Sequence, residues 1–307
     1  MDIQMDELIT AVRRYSGRHA DTEGLALTPV EGLRMMCVGR PGKPMHSIYK
    51  PLVCLVLQGA KQMTIGNVTQ VFRAGQSVVV ALDAPVTGRI VEASADGPYV
   101  ATAIELDMAL VRELATELAQ ADPTSGEPDQ TLFVVDTDQA ALDCAMRLVR
   151  LLDTPDAITA LRPAIIKELH YWLLEGEHGA AIRQIALPDG QAERVAAAAR
   201  LLRAEFRRPV AVERLAAAAS MSVSTFRRRF KALTSLTPVQ FQKELKLAEA
   251  RRLMLGEGRS ASQAAYAVGY ESASHFNRDY GRLFGAPPRR DVRALTQVEP
   301  ANAGPPG

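Results

Sequence analysis

The chain has 307 residues, of which 47% are hydrophobic and 23% are charged. This length suggests two domains, and this composition supports packed cores and argues against a disordered chain. The sequence contains no run of about 18 apolar residues, and its N-terminal segment has no apolar signal core, so we expect a cytoplasmic protein with no membrane partner.

The net charge of +1 conceals a division along the chain. Residues 1–190 contain 16 Lys and Arg against 25 Asp and Glu, a balance of −9, whereas residues 191–307 contain 20 against 10, a balance of +10. Such asymmetry is typical of a protein in which one half meets a polyanion. Three widely spaced cysteines, Cys37, Cys54 and Cys144, form no CxxC pair, which disfavours a disulfide framework and a structural zinc site.

Strands are predicted throughout residues 30–105. Residues 52–57 form a short apolar run rich in β-forming side chains, and residues 62–72 alternate around Gly66-Asn67, a two-residue hairpin signal. Further strands are predicted at 77–81, 89–91 and 99–104. Six or more short strands at this spacing favour a small sandwich or barrel.

Helices are predicted after the strands. The spacing of apolar side chains predicts helices at 108–121, 139–152 and 157–175, with a loop at 122–128. The first two helices are candidates for a dimer interface, although packing on the barrel explains their apolar stripes equally well. Segment 186–190 combines Pro and Gly where the charge balance changes, and we expect the domain boundary there.

The second half contains an internal sequence repeat with an offset of 50 residues. The pattern S-x-S-x-F-x-R-x-aromatic-x-x-L begins at Ser222 and recurs at Ser272. An Ala-rich helix and a tight turn precede each copy, at 212–219 and 261–268, and the turn is longer in the second copy. This order predicts two helix-turn-helix units, with both serines as N-caps of the second helices.

Each predicted second helix has one apolar and one polar face. The apolar faces, which we expect to be buried, carry Phe226, Phe230 and Leu233 in one copy and Phe276, Tyr280 and Leu283 in the other. The polar faces present groups suited to base edges in a major groove, namely Ser224, Arg227 and Arg228, and Ser274, Asn277 and Arg278. Flanking basic residues suited to phosphate contacts are Arg207, Arg208, Arg229, Lys231, Arg282, Arg289 and Arg290.

A single helix is predicted to join the two units. Thr237 followed by Pro238 is an N-cap with proline at the first helical position. A helix over 238–254 would be roughly 25 Å long at 1.5 Å per residue. Such a strut suits two recognition helices about one DNA turn, near 34 Å, apart.

Residues 265–288, AYAVGYESASHFNRDYGRLFGAPP, closely resemble the signature of the AraC family of bacterial transcription regulators. Residues 51–61 and 72–77 resemble a cupin-like effector or dimerisation domain found in this family. By position, the resemblance places the family's base-reading residues on the six named above. It also marks two departures: Asp279 puts an acid beside the predicted reading face, and Gly281 replaces a frequently basic residue.

The barrel is expected to bind a small molecule rather than to catalyse a reaction. Cupin enzymes need a cluster of His and carboxylate ligands, whereas this region offers His46 alone, so we predict no metal, no cofactor and no catalytic residue. Candidate effector-binding residues, which ordinary core packing would equally explain, are Cys54, Leu55, Leu57, Met63, Val78, Val80 and Ile104. Cys54 is either an inert buried residue or a sensor thiol whose thiolate Lys50 and Lys61 stabilise. Some relatives with this N-terminal type are tied to reactive aldehydes, which would suit a thiol.

Together these observations predict an α+β protein of two domains. Residues 1–185 form a cupin-like effector-binding or dimerisation domain with helices, 186–190 a linker, 191–297 an all-α DNA-binding domain and 298–307 a disordered tail. The expected partners are double-stranded DNA, a small-molecule effector, a second copy of the chain and RNA polymerase. The alternatives are a ligand-independent regulator whose N-terminal domain only dimerises, and a metal-dependent cupin enzyme fused to a DNA-binding module.

Overall fold

A computed structural model describes residues 2–42, 44–65, 68–118, 132–186 and 190–296. A β-rich part lies in the first half of the chain and a helical part in the second, so the predicted α+β class is confirmed. The predicted loop at 122–128 and tail at 298–307 lie outside the described residues.

Two antiparallel sheets form the β-rich part. The strands are β1 Leu25–Leu27, β2 Leu33–Val38, β3 Met45–Tyr49, β4 Leu52–Gln58, β5 Ala60–Ile65, β6 Val68–Arg73, β7 Gln76–Val80, β8 Ala84–Glu92, β9 Tyr99–Glu105 and β10 Leu132–Asp136. The larger sheet has the order β1-β2-β9-β4-β7-β10, and the smaller has the order β3-β8-β5-β6. The hairpin of β5 and β6 pairs Ile65 with Val68, although the predicted turn residues 66 and 67 lie outside the described residues.

Alternation along β4 divides the core into two layers. Leu52 and Val56 pack between the two sheets, whereas Val53 and Leu55 pack on the opposite face, against the helices. This is the expected consequence of a two-residue side-chain period in a strand that is covered on both faces.

Five helices accompany the sheets in the described residues of the first half: α1 Asp2–His19, α2 Met108–Glu117, α3 Gln139–Arg150, α4 Ile158–Glu175 and α5 Gly179–Ala186. The sequence predicted the positions of α2, α3 and α4 but not α1. Leu8 and Val12 of α1 are completely buried, because this helix packs against α3 and the larger sheet. No helix in the described parts of the chain combines the length and the apolar character needed to span a membrane.

Seven helices form the second half: α6 Gln191–Glu205, α7 Val212–Ala218, α8 Val223–Thr234, α9 Pro238–Gly256, α10 Ala261–Ala267, α11 Ala273–Phe284 and α12 Pro288–Thr296. The predicted strut is α9, which has 19 residues. Thr237 caps it in a reciprocal capping box with Gln240, as the Thr-Pro signal predicted. The turn before α8 and the longer turn before α11 contain left-handed residues, Ser220 and Gly269.

The two halves are in contact on two sides. On one side, Arg203 of α6 pairs with Asp83, and Arg112 Nη2 lies 3.3 Å from Glu193 Oε1. On the other, the His46 ring of β3 meets the Phe284 ring of α11 edge-on, with centroids 4.9 Å apart. The second helix-turn-helix unit is therefore packed directly against the smaller sheet.

Candidate nucleic-acid interface and ligand cavity

The helix α8 has the buried and exposed faces that the sequence predicted. Ser222 accepts a hydrogen bond from the Thr225 amide at 3.3 Å and caps its N-terminus. Phe226 and Phe230 are completely buried, their ring centroids are 5.3 Å apart, and Phe230 also packs on Phe241 of α9. This aromatic cluster fixes which side of α8 faces outward.

The helix α11 repeats this construction. Ser272 caps it by accepting a hydrogen bond from the His275 amide at 3.4 Å. Phe276 and Tyr280 are completely buried, whereas Leu283, also predicted to be buried, is half-buried. The second helices of both helix-turn-helix units are thus held by matched aromatic residues.

All six predicted base-reading side chains lie on exposed positions: Ser224, Arg227 and Arg228 on α8, and Ser274, Asn277 and Arg278 on α11. Within the described residues, no carboxylate forms an ion pair with Arg227, Arg228 or Arg278. Unpaired guanidinium groups on exposed helix faces are suited to bidentate hydrogen bonds with guanine or phosphate.

Six of the seven residues predicted to contact phosphates are exposed, and one is half-buried. Exposed residues are Arg207, Arg208, Lys231, Arg282, Arg289 and Arg290. Arg229, however, is half-buried and its Nε is fully buried, because its position in α8 turns it toward the protein interior. It is therefore poorly placed for a phosphate.

The acid at Asp279 does not lie on the reading face, and the sequence-based expectation is wrong. Asp279 is only 5% exposed, since it follows Phe276 by three positions and so shares the buried side of α11. Its Oδ2 lies 3.2 Å from Lys243 Nζ of α9, and it accepts a hydrogen bond from the Tyr270 hydroxyl at 3.4 Å. Lys243, which the sequence did not single out, neutralises this carboxylate and ties α11 to the strut.

A cavity of about 130 Å³ lies between the two sheets of the β-rich part. Strands of both sheets line it, with Cys54, Lys61, Tyr49 and Tyr99 among the lining residues. Of the predicted effector-binding residues, Cys54 alone belongs to this lining. Met63, Val78 and Val80 are packed in the core between the sheets, and Leu55, Leu57 and Ile104 face the helices. Alternation in β4 explains the difference for Leu55 and Leu57, which lie on the opposite face from Cys54.

The environment of Cys54 differs from the one that a reactive thiolate needs. Burial raises the pKa of the Cys54 thiol, and the nearby Lys61 ammonium offsets that effect only in part. Lys50, the other lysine considered in the sequence, is exposed and pairs with Glu105, with Nζ and Oε2 3.3 Å apart. The thiol is therefore protonated at neutral pH.

The His46 imidazole is uncharged at neutral pH. Its Nδ1 lies 2.9 Å from the Thr87 hydroxyl, and burial together with the Arg251 cation lowers the pKa of the imidazole to about 4. In the described part of the chain, no three His, Cys, Asp or Glu side chains are placed to hold a metal ion together.

Comparison with protein families gives two matches. A model described as the AraC-type transcriptional regulator N-terminus matches residues 29–181, and a helix-turn-helix domain model matches residues 215–294. The first model covers most of the residues that line the cavity, and the second covers α8 and α11.

Curated relatives match shorter segments. The MmsAB operon regulatory protein of Pseudomonas aeruginosa is 33% identical over 88 residues, which cover 29% of this chain and 29% of that protein. The transcriptional activator RhaS of Salmonella arizonae is 30% identical over 159 residues, which cover 50% of this chain and 55% of RhaS. The chain thus spans between about a third and about half the length of these relatives.

A solved structure shares the fold over most of the chain. ToxT from Vibrio cholerae, crystallised with an unsaturated fatty acid bound, superposes with a TM-score of 0.59 and covers 87% of this chain and 96% of its own. The sequence identity is 11%, so this likeness concerns the fold alone.

Proposed function

Because the chain belongs to the AraC family of transcription regulators, we propose that it is a sequence-specific DNA-binding regulator of transcription. The observation that carries this proposal is the pair of exposed polar faces on α8 and α11, each set by a buried aromatic cluster. Within the described ranges, the guanidinium groups of Arg227, Arg228 and Arg278 on these faces form no ion pair with a carboxylate. Two such helices joined by one strut suit successive segments of a major groove.

The surrounding charge supports binding to the DNA backbone. Six exposed basic residues, Arg207, Arg208, Lys231, Arg282, Arg289 and Arg290, flank the two reading faces. They would contact phosphates, supply affinity that does not depend on sequence, and make binding strongly dependent on salt. These residues all lie in the half of the chain whose balance of Lys and Arg over Asp and Glu is +10.

The first half, residues 1–185, is proposed to sense a small molecule in the cavity between its sheets, and to join the DNA-binding half, 191–297, through 186–190. The ligand-bound crystal structure of ToxT is consistent with a sensing role for this fold. The proposal also includes self-association, contact with RNA polymerase and a cytoplasmic location. It assigns the chain a regulatory rather than a catalytic role. If the first half only dimerises, the cavity binds no ligand. Thermal-shift measurements with a panel of metabolites test this alternative.

Selection of binding sites from random duplex DNA with the purified chain tests the proposal. We expect a motif of two short blocks about one helical turn apart. Arg228→Ala should relax the first block and Arg278→Ala the second, each by about 1–3 kcal/mol per lost base contact. Arg214→Ala is the matched control, because this exposed arginine of α7 pairs with Glu205 and lies off both reading helices. Absence of any enriched motif would contradict specific recognition by the free protein.

A further inference from the structure

Lys61 of β5 is a buried cation in the ligand cavity. Its side chain is only 5% exposed, and Nζ donates a hydrogen bond of 3.0 Å to the Tyr49 hydroxyl. The ammonium also lies 5.7 Å from the centroid of the Tyr49 ring, a cation–π contact. No carboxylate in the described ranges of the chain forms an ion pair with it. An ammonium has three donors, and this one is removed from water without a formal counter-charge.

A second polar group in the cavity also lacks a strong partner. Tyr99 of β9 is completely buried, and among the described residues its hydroxyl has no hydrogen-bond partner of good geometry. Beside it lies the Cys54 thiol, which is a weak hydrogen-bonding group. Burying a hydroxyl in this way costs free energy unless a ligand or water completes its hydrogen bonding.

The charge of the cavity follows from these neighbours. Burial acts to lower the pKa of Lys61, but the facing Tyr49 and Cys54 groups outweigh it and the net direction is upward. Phenols and thiols are ordinarily uncharged near pH 7, and burial raises the pKa of Cys54 further. The cavity therefore presents the Lys61 ammonium and the Tyr99 hydroxyl. Its lining also includes the carboxylate of Glu23, which lies 3.8 Å from Arg251 Nη1 and forms an ion pair with that residue rather than with Lys61.

We propose that this cavity binds a small carboxylate, whose anionic group pairs with Lys61 and accepts a hydrogen bond from the Tyr99 hydroxyl. The proposal rests on the proposed function and deepens it, since it names the chemical class of the effector. A carboxylate supplies the missing counter-charge and the missing acceptor together, which a neutral ligand does not.

The size and lining of the cavity restrict the remainder of the ligand. A cavity of about 130 Å³ is close to the roughly 150 Å³ that accommodates a benzene molecule in a protein interior. Apolar side chains, including Met35, Met45 and Ala101, form much of the remaining wall. Arg34 and Glu23 also line it, and each of these is paired with another residue, Glu105 and Arg251 respectively. The ligand is thus a carboxylate with a compact apolar body of about one ring, and benzoate is a suitable probe.

An aldehyde, the class that the sequence suggested, suits these groups less well. Capture of an aldehyde requires a free amine or a thiolate as the nucleophile. The pKa of Lys61 is raised, and its ammonium donates a hydrogen bond to the Tyr49 hydroxyl, while burial raises the pKa of the Cys54 thiol. At neutral pH both groups therefore carry a proton. Both groups are in the form that binds an anion rather than the form that attacks a carbonyl.

Gly88 of β8 makes room for the lysine. A Cβ atom at this position would lie 2.7 Å from Lys61 Cε and 3.3 Å from Nζ. Gly88→Ala therefore displaces the flexible end of the lysine while leaving the strand backbone in place. This substitution moves the charge without removing it.

The test is titration of the full chain with benzoate and hexanoate, and with their uncharged counterparts benzamide and hexanamide, by calorimetry and thermal shift. We expect at least one carboxylate to bind and to raise Tm, and its amide not to bind. Lys61→Met should weaken carboxylate binding at least tenfold, and Gly88→Ala should weaken it several-fold. Lys50→Met is the matched control, since Lys50 is exposed and outside the cavity, and it should bind as the unsubstituted chain does.

The unliganded variants distinguish a binding lysine from a structural one. Because Lys61→Met removes a buried charge and keeps the shape of the side chain, its Tm without ligand should equal or exceed that of the unsubstituted chain. A large loss of Tm in unliganded Lys61→Met would mean that the lysine is structural and would overturn the proposal. So would equal binding of a carboxylate and its amide, or no binding by either carboxylate. DNA-site selection is measured separately, so a chain that selects a motif but ignores both carboxylates refutes the ligand class and leaves the regulator proposal intact.

Discussion

Arg251 Nε of α9 donates a hydrogen bond of 2.9 Å to Asp291 Oδ2 of α12, and both side chains are more than nine-tenths buried. The same carboxylate oxygen accepts a hydrogen bond of 2.8 Å from the Tyr280 hydroxyl of α11. The strut α9 and the helices α11 and α12 thus meet at one carboxylate. Arg251 also stacks on the Phe284 ring at 4.9 Å and reaches to 3.8 Å from Glu23 Oε1, which links this cluster to the β-rich half.

Removing the carboxylate should destabilise the second unit strongly. Asp291→Ala leaves the Arg251 cation buried without its close partner, and we expect a loss of about 3–5 kcal/mol in the free energy of unfolding, measured by urea denaturation. Glu205→Ala is the control, because it breaks an exposed pair with Arg214 and should change the free energy of unfolding far less. Similar losses in the two variants would contradict this account.

Acid should weaken the contact between the two halves through His46. Burial and the Arg251 cation lower the pKa of His46 to about 4, whereas nearby Asp291 acts to raise it. Between pH 6.5 and about 4 the unfolded chain binds the proton and the folded chain does not, so the stabilisation present above pH 6.5 is lost as the pH falls.

The effect of His46 on stability must be measured by comparison with His46→Gln, because the titration of Glu244 has the opposite effect on stability. Burial raises the pKa of Glu244 to about 7, and the stability associated with that carboxyl is lost as the pH rises from 4.5 toward 7. Between pH 7 and 4.5, the unsubstituted chain should lose about 2 kcal/mol more than His46→Gln, as measured by denaturation at each pH. Parallel pH profiles of the two chains would show that His46 does not titrate in this way.

Substitution of Gly269, in the turn before α11, by alanine should strongly lower the free energy of unfolding. Its φ is +81°, and a Cβ atom there would lie 1.8 Å from the backbone carbonyl oxygen of Arg207. Left-handed backbone is tolerated without glycine in the first unit, where Ser220 has a φ of 50°, so the carbonyl contact is the decisive factor.

Gly258 provides the matched control for this position. It has a φ of +64°, and a Cβ atom there would meet no other described atom within 4 Å, so Gly258→Ala should cost roughly 1–2 kcal/mol from backbone strain alone. Gly269→Ala should cost roughly 2 kcal/mol more than that, since the α6–α7 segment must move. Equal melting temperatures for the two variants would refute the steric argument.

Local features of the chain were determined by the sequence itself. The caps Ser222, Ser272 and Thr237, the buried Phe226 and Phe276, and the exposure of Arg228 and Arg278 all follow from neighbours within one or two helical turns. Such features depend on short-range periodicity and capping, which remain the same wherever the helix is placed. The repeat at an offset of 50 residues made the pattern stronger, because each copy predicts the other.

Features that depend on partners distant in the sequence were decided only by the tertiary structure. Asp279 is buried on the inner side of α11, and only the tertiary structure brings Lys243 of α9 and the Tyr270 hydroxyl to its carboxylate. Cys54 and Leu55 are adjacent in one apolar strand, and only the packing of a second sheet on one face and helices on the other assigns them to different layers. The burial of Lys61 has the same origin. In an alternating strand a lysine is expected to be exposed, and only the packing of the facing sheet encloses this one. That enclosure is the basis of the proposed carboxylate site.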